Sequence, residues 1–217
     1  MDLLFKIFLM IHVAGGSVGM LAGTYVMFAK KGDKTHKKVG KLFAISMLGA
    51  GFCSLVLAAL HHSNFLFAVG IFTIYMTGTA WRYLHLKKLA DGQKPQTIDW
   101  LLVGFMFVGS LWFVKMGVES LLDKEYFGAI VLVFAWRGFS FVRQDYRTFN
   151  GQITAKNYWL LFHLQRMTGA YIASMTAFLV VNSPDRLSFI PWLLPSVVVV
   201  PFIVKWSKKY IIRLPTA

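Results

Sequence analysis

The stretch Tyr158–Asn182, YWLLFHLQRMTGAYIASMTAFLVVN, decides how the rest of the chain is read. It is apolar and long enough to cross ~30 Å of hydrocarbon as a helix. It nevertheless carries His163 and Arg166 near its start. Those two are spaced i and i+3, so a helix puts them on one face, and Ala170, Ser174 and Ala177 continue that face with small side chains. A guanidinium inside a membrane helix is costly unless it faces protein or water. The remaining helices must therefore enclose this face.

Composition agrees with a membrane setting. Of 217 residues, 57% are hydrophobic and only 15% charged, and the mean hydropathy is +0.58. Soluble domains carry about 25% charged residues. Seven apolar runs are predicted as spans: 4–29, 40–61, 65–86, 99–118, 126–142, 158–182 and 187–206. The expected fold is all-α, a polytopic transmembrane helical bundle forming a single domain over residues 1–217. Met1–Lys6 is short and no cleavage site follows it, so the first run is expected to be retained and not removed as a signal peptide.

The net charge of +14 does not point to nucleic acid, because its distribution is that of a membrane protein. Lys30, Lys31, Lys34, Lys37, Lys38 and Lys41 fill the first inter-span loop. Arg82, Lys87, Lys88 and Lys94 mark the next loop on that side. Arg143, Arg147 and Lys156 mark the third, and Lys205, Lys208, Lys209 and Arg213 the tail. These are 17 of the 23 basic residues. The opposite side has Lys6, Lys115, Lys124 and Arg186, with Glu119, Asp123, Glu125 and Asp185 beside them. The bias predicts an outside N-terminus and a cytoplasmic C-terminus, with membrane lipids, their anionic headgroups above all, as partners. The single Cys53 excludes a disulfide framework and a cysteine-based metal site.

Two sequence patterns bear on helix packing. Gly15, Gly19 and Gly23 repeat at four-residue spacing in the first span, the arrangement that lets membrane helices approach closely. His12 shares that face and is expected to point at a neighbouring helix. Ala80-Trp81-Arg82 recurs as Ala135-Trp136-Arg137, each followed by basic residues, a Gly-Gln pair and a Trp-Leu-Leu start to the next span. Residues 65–118 and 126–182 would then be duplicated hairpins, with chance in an aromatic-rich chain as the alternative.

The chemistry lies in arginines and histidines. Arg137, with Ser140 and Gln144, and Arg166, with His163, are expected at similar depth. Tyr75, Thr79 and Arg82 form a third polar face. All nine acids fall in predicted loops or at span ends, so these guanidiniums are expected to be uncompensated. That favours a shared cavity for a small anionic ligand, a lipid phosphate or haem propionates; the bland reading is snorkelling and capping of carbonyls. Histidines on different helices could also ligate haem b axially, from His12 with His61 or His62 on one side or His85 with His163 on the other. His36, among lysines, is expected in a solvated loop. The sequence carries no His-x-x-x-His pair with carboxylates at depth, no mid-span lysine in the last span, no phosphate-binding glycine loop and no serine-nucleophile motif. Three functions stay open: an anion-binding or transport protein, a haem-b redox protein, and a structural or assembly subunit of a membrane complex.

Two segments resemble an uncharacterised family of bacterial multi-pass inner-membrane proteins, defined as a domain of unknown function. The first is Ile11-His12-Val13-Ala14-Gly15-Gly16-Ser17 leading to Lys31-Gly32 and His36-Lys37-Lys38-Val39-Gly40-Lys41. The second runs from His163 through Arg166-Met167 to Asn182. The resemblance implies a bacterial inner-membrane location and a shared helical core, and marks His12, His36, Arg82 and His163 as functional positions. It implies no activity.

Overall fold

The computed structural model describes residues 3–125, 127–183 and 190–212. Among these it contains seven α-helices and no strand: α1 (Leu3–Phe28), α2 (Lys34–His61), α3 (Asn64–Tyr83), α4 (Thr97–Leu122), α5 (Phe127–Phe149), α6 (Tyr158–Asn182) and α7 (Ile190–Tyr210). Five of them, α1 to α4 and α7, are long and apolar enough to cross a membrane. The two that fall short, α5 and α6, are the ones that carry arginine at mid-length. Asp185, Arg186 and Arg213, used above to weigh the two sides, lie outside the described residues, as do the expected starts of the fifth and seventh spans at Tyr126 and Leu187.

α3 is the central helix and packs on α2, α4 and α6. α1 lies against α2 and touches α6, while α7 covers another side of α6. α5 packs chiefly on α4. Neighbours run antiparallel: Gly51 meets Gly70 across α2 and α3, His163 meets Ala80 across α6 and α3, and Gln165 meets Ser207 across α6 and α7. The core is apolar and aromatic, with Phe72, Tyr75, Met106 and Phe113 at its centre and Phe72 stacked on Phe113 at 5.7 Å.

The close crossing of α4 and α5 depends on glycine. A Cβ on Gly128 would stand 2.5 Å from the Gly117 carbonyl oxygen and 2.9 Å from the Leu121 nitrogen, both backbone atoms that cannot turn aside. In α1, Gly19 and Gly23 are buried against Met47, Phe43 and Tyr171. Both contacts fit the packing of small residues between membrane helices.

Several helices are longer than the hydropathy suggested, and in two of them, α2 and α5, the extension bears on the site. α2 starts at Lys34 and not at 40, because the Asp33 carboxylate accepts from the His36 N–H at 2.7 Å and caps the helix. His36 is thus in a helical first turn, half-buried, with its Nδ1 enclosed, and not in a solvated loop. α5 continues to Phe149, seven residues past the expected end at Val142. That extension brings Asp145 onto the helix.

Candidate functional site: a buried ion pair and an open arginine

Arg166 and Asp145 form a buried ion pair where α3, α5 and α6 meet. Their side chains are 2% and 0% exposed. Arg166 Nη2 donates to Asp145 Oδ1 at 2.6 Å and Nη1 donates to Oδ2 at 2.9 Å, a bidentate fork. Tyr75 donates its hydroxyl to Oδ2 at 2.5 Å and Tyr83 donates to Oδ1 at 2.6 Å. A carboxylate offers about four lone-pair positions. Here four donors fill them.

The guanidinium is nearly as well supplied. Nη1 also donates to Tyr75 Oη and Thr79 Oγ1, each at 2.9 Å, and Nη2 approaches Gln144 Oε1 at 3.4 Å. Nε is buried with no partner among the described residues. The rings of Tyr75, Phe141, Tyr83 and Phe162 surround the cation, with centroids 5.1, 5.3, 5.4 and 5.8 Å from Cζ. This aromatic box keeps the pair dry, which strengthens its internal attraction and raises the cost of breaking it.

The expectation that the core arginines lack acidic partners is therefore overturned for two of the three. Asp145 compensates Arg166. Asp99, with a side chain 1% exposed, compensates Arg82, whose Nε donates to Oδ1 at 2.6 Å and Nη2 to Oδ2 at 3.0 Å. Arg82 also donates to Gln96 Oε1 at 2.8 Å, and the Gln96 N–H donates to Asp99 Oδ2 at 2.8 Å. The Arg82 pair thus ties the end of α3 to the capped start of α4.

Arg137 is different. It is exposed on α5 and forms no ion pair or hydrogen bond among the described residues. Its Cζ lies 5.5 Å from the ring centroid of Trp136 and 4.8 Å from that of Phe141. Phe141 is the ring that Arg137 and Arg166 share. The two arginines are thus close, as their depths suggested, but they do not sit alike: one is enclosed by protein and the other is open. Ser140 turns its hydroxyl back to the Trp136 carbonyl at 2.8 Å, and Gln144 faces Arg166. The expected polar continuation of the Arg137 face is absorbed by these contacts.

The histidines are held separately. His12 Nδ1 is 2.9 Å from the Ala50 carbonyl of α2, and His163 Nδ1 is 3.0 Å from the Ala80 carbonyl of α3. A carbonyl only accepts, so Nδ1 carries the proton in both. His85, in the turn that follows α3, is exposed, and its Nδ1 lies 3.2 Å from the Trp81 carbonyl near the end of that helix. His61 packs on the Phe5 ring at 4.0 Å. No group of three or more His, Cys, Asp or Glu able to hold a metal occurs among the described residues. The repeated Ala-Trp-Arg triplets share a buried alanine, Ala80 and Ala135, but Arg82 is paired where Arg137 is open.

Sequence reasoning missed Asp145 because Arg143-Gln144-Asp145-Tyr146-Arg147 has the composition of a loop. The signal was helical phase. Gly128, Val131, Ala135, Gly138, Asp145 and Thr148 form one buried stripe on α5, and the small residues of that stripe project to Asp145 when the helix is continued. No protein-family model, no curated protein and no solved structure matches this chain.

Proposed function

We propose that the chain is a seven-span protein of a bacterial inner membrane, N-terminus outside and C-terminus cytoplasmic, that binds or transports a small anionic ligand at Arg137. Arg137 carries this reading. It stands midway along α5, roughly 15 Å from one helix end and 18 Å from the other at ~1.5 Å per residue. A cation at that depth in a bilayer needs a water-filled crevice or an anion. Arginine remains charged and offers a planar fork that suits carboxylate or phosphate. Behind it, the Asp145–Arg166 clasp holds α3, α5 and α6 in register and fixes the shared Phe141 wall. The test is an untargeted mass-spectrometric inventory of small molecules and lipids that co-purify with the wild type and with Arg137→Gln. An anion present only with the wild type supports the site, and identical inventories overturn it.

The orientation rests on the one-sided basic residues. Cysteines placed singly at Asp123 and Lys208, both exposed, are expected to react oppositely with a membrane-impermeant maleimide on intact cells. Asp123→Cys labels directly and Lys208→Cys labels only after permeabilisation. The reverse pattern refutes the topology.

One observation favours a second reading, a haem-b redox protein. His12 and His163 each give their Nδ1 proton to a carbonyl of the neighbouring helix, which leaves Nε2 as the ligating atom in the neutral ring. Protein purified from haem-supplemented cells shows a Soret band on this reading, and a colourless preparation removes it.

A further inference from the structure

The face of α2 that begins at Lys34 is cationic at one end and apolar along the rest. Lys34, Thr35, Lys38, Val39, Lys41, Leu42 and Ile45 line a shallow, open groove on this face of the helix. Lys34, Lys38, Lys41 and Ile45 follow one another at three- and four-residue steps, so their side chains stack along one helical stripe. The stripe then passes Gly49, where an added Cβ would meet nothing within 4 Å, and reaches Phe52. Leu42, Ile45 and Phe52 are 48%, 54% and 59% exposed. Among the described residues no acid lines the groove; Asp33, next to it in sequence, accepts from the His36 backbone.

Nearby lysines are differently placed. Lys31 turns inward, donating to the Val26 and Met27 carbonyls at 2.7 and 2.6 Å while lying 4.5 Å over the Trp206 ring. Burial pushes its ammonium below the ordinary lysine range. Lys30 and Lys37 are exposed but do not line the groove. Charge is thus gathered at the polar end of a helix long and apolar enough to cross a bilayer, directly above an apolar trough.

We infer that this stripe of α2 is a binding site for one anionic phospholipid, its phosphate held by Lys34, Lys38 and Lys41 and one acyl chain lying along Leu42, Ile45 and the open position at Gly49. From Lys38 to Phe52 the stripe runs about 21 Å at ~1.5 Å per residue, a span on the scale of one leaflet and more than a headgroup alone would use. Juxtamembrane lysine clusters attract anionic lipid, and three lysines acting together give roughly a hundredfold preference over a zwitterionic lipid. The site requires α2 to sit in a membrane and is independent of Arg137.

Native mass spectrometry of the full chain, delipidated in neutral detergent and titrated with phosphatidylglycerol or phosphatidylcholine, tests it. The wild type is expected to retain one phosphatidylglycerol at concentrations where phosphatidylcholine does not bind. The triple variant Lys34→Gln, Lys38→Gln, Lys41→Gln loses roughly a hundredfold in apparent affinity. The triple lysine-to-arginine variant keeps it, which separates lost charge from lost folding. Lys30→Gln with Lys37→Gln changes it little. Gly49→Leu fills the trough and weakens binding with all lysines present. Soluble glycerol phosphate does not displace the lipid. Equal retention of both lipids, equal loss in the two lysine-to-glutamine variants, or displacement by glycerol phosphate overturns the site.

Discussion

Asp145→Asn is expected to lower the unfolding midpoint by roughly 6–20 °C in detergent. The substitution changes the shape of the side chain very little, so the effect is electrostatic. It leaves the Arg166 charge buried inside four aromatic rings with no counter-ion among the described residues. Breaking a buried pair by removing one partner costs about 3–5 kcal/mol, and about 2–4 °C accompanies each kcal/mol in a chain of this size. The amide also turns an N–H₂ group toward a donor-rich pocket, where Tyr75, Tyr83 and Arg166 all seek an acceptor. The double variant Asp145→Asn, Arg166→Gln removes the stranded charge and is expected to recover at least half of the loss. That non-additivity is the signature of a direct pair. A single variant with an unchanged midpoint would show that the pair contributes nothing to the fold. Differential scanning fluorimetry of Asp145→Asn, Arg166→Gln and the double variant reads all of these outcomes.

The same pair marks where the sequence was legible and where it was not. Helix number and approximate limits follow from apolar runs, and α6 covers the residues 158–182 expected for the sixth run, although arginine and histidine leave it less apolar than α1 to α4 and α7. The inward direction of Arg166 was legible too, from the cost of exposing it to lipid and the small residues on its face. Its partner was not. Asp145 lies in a segment where hydropathy fails, because four of the seven residues after Val142 are charged or amide-bearing. Hydropathy reports the average cost of a segment in lipid; it is silent on a single acid whose charge is cancelled by an arginine 21 residues away. Without Asp145 and Asp99 as partners, all three arginines read as uncompensated. Capping was equally invisible to hydropathy, since five of the six residues by which α2 exceeds its apolar run are polar, and the turn they open is capped by the Asp33 side chain.

What remains after the two ion pairs are subtracted is Arg137, and its replacement by glutamine is expected to separate binding from stability. The residue is exposed and its contacts are two ring faces, so Arg137→Gln should shift stability by no more than about 0.5 kcal/mol. If an anion is held there, each hydrogen bond to a charged group is worth about 1.5–3 kcal/mol, and its loss weakens binding roughly 10- to 150-fold. Arg137→Lys keeps the charge but not the fork; it should recover part of the affinity for a monodentate anion and little for a bidentate one. Arg166→Gln should behave in the opposite way. It strands Asp145 and lowers the midpoint strongly, and any binding defect follows the loss of fold. The contrast is informative because both arginines touch Phe141, so a general disturbance of this wall would affect the two variants alike. Titration of each variant with the anion recovered from the wild type, beside its unfolding midpoint, gives the measurement. Unchanged affinity in Arg137→Gln at an unchanged midpoint would leave the arginine as a surface cation of the helix and remove the anion-binding function.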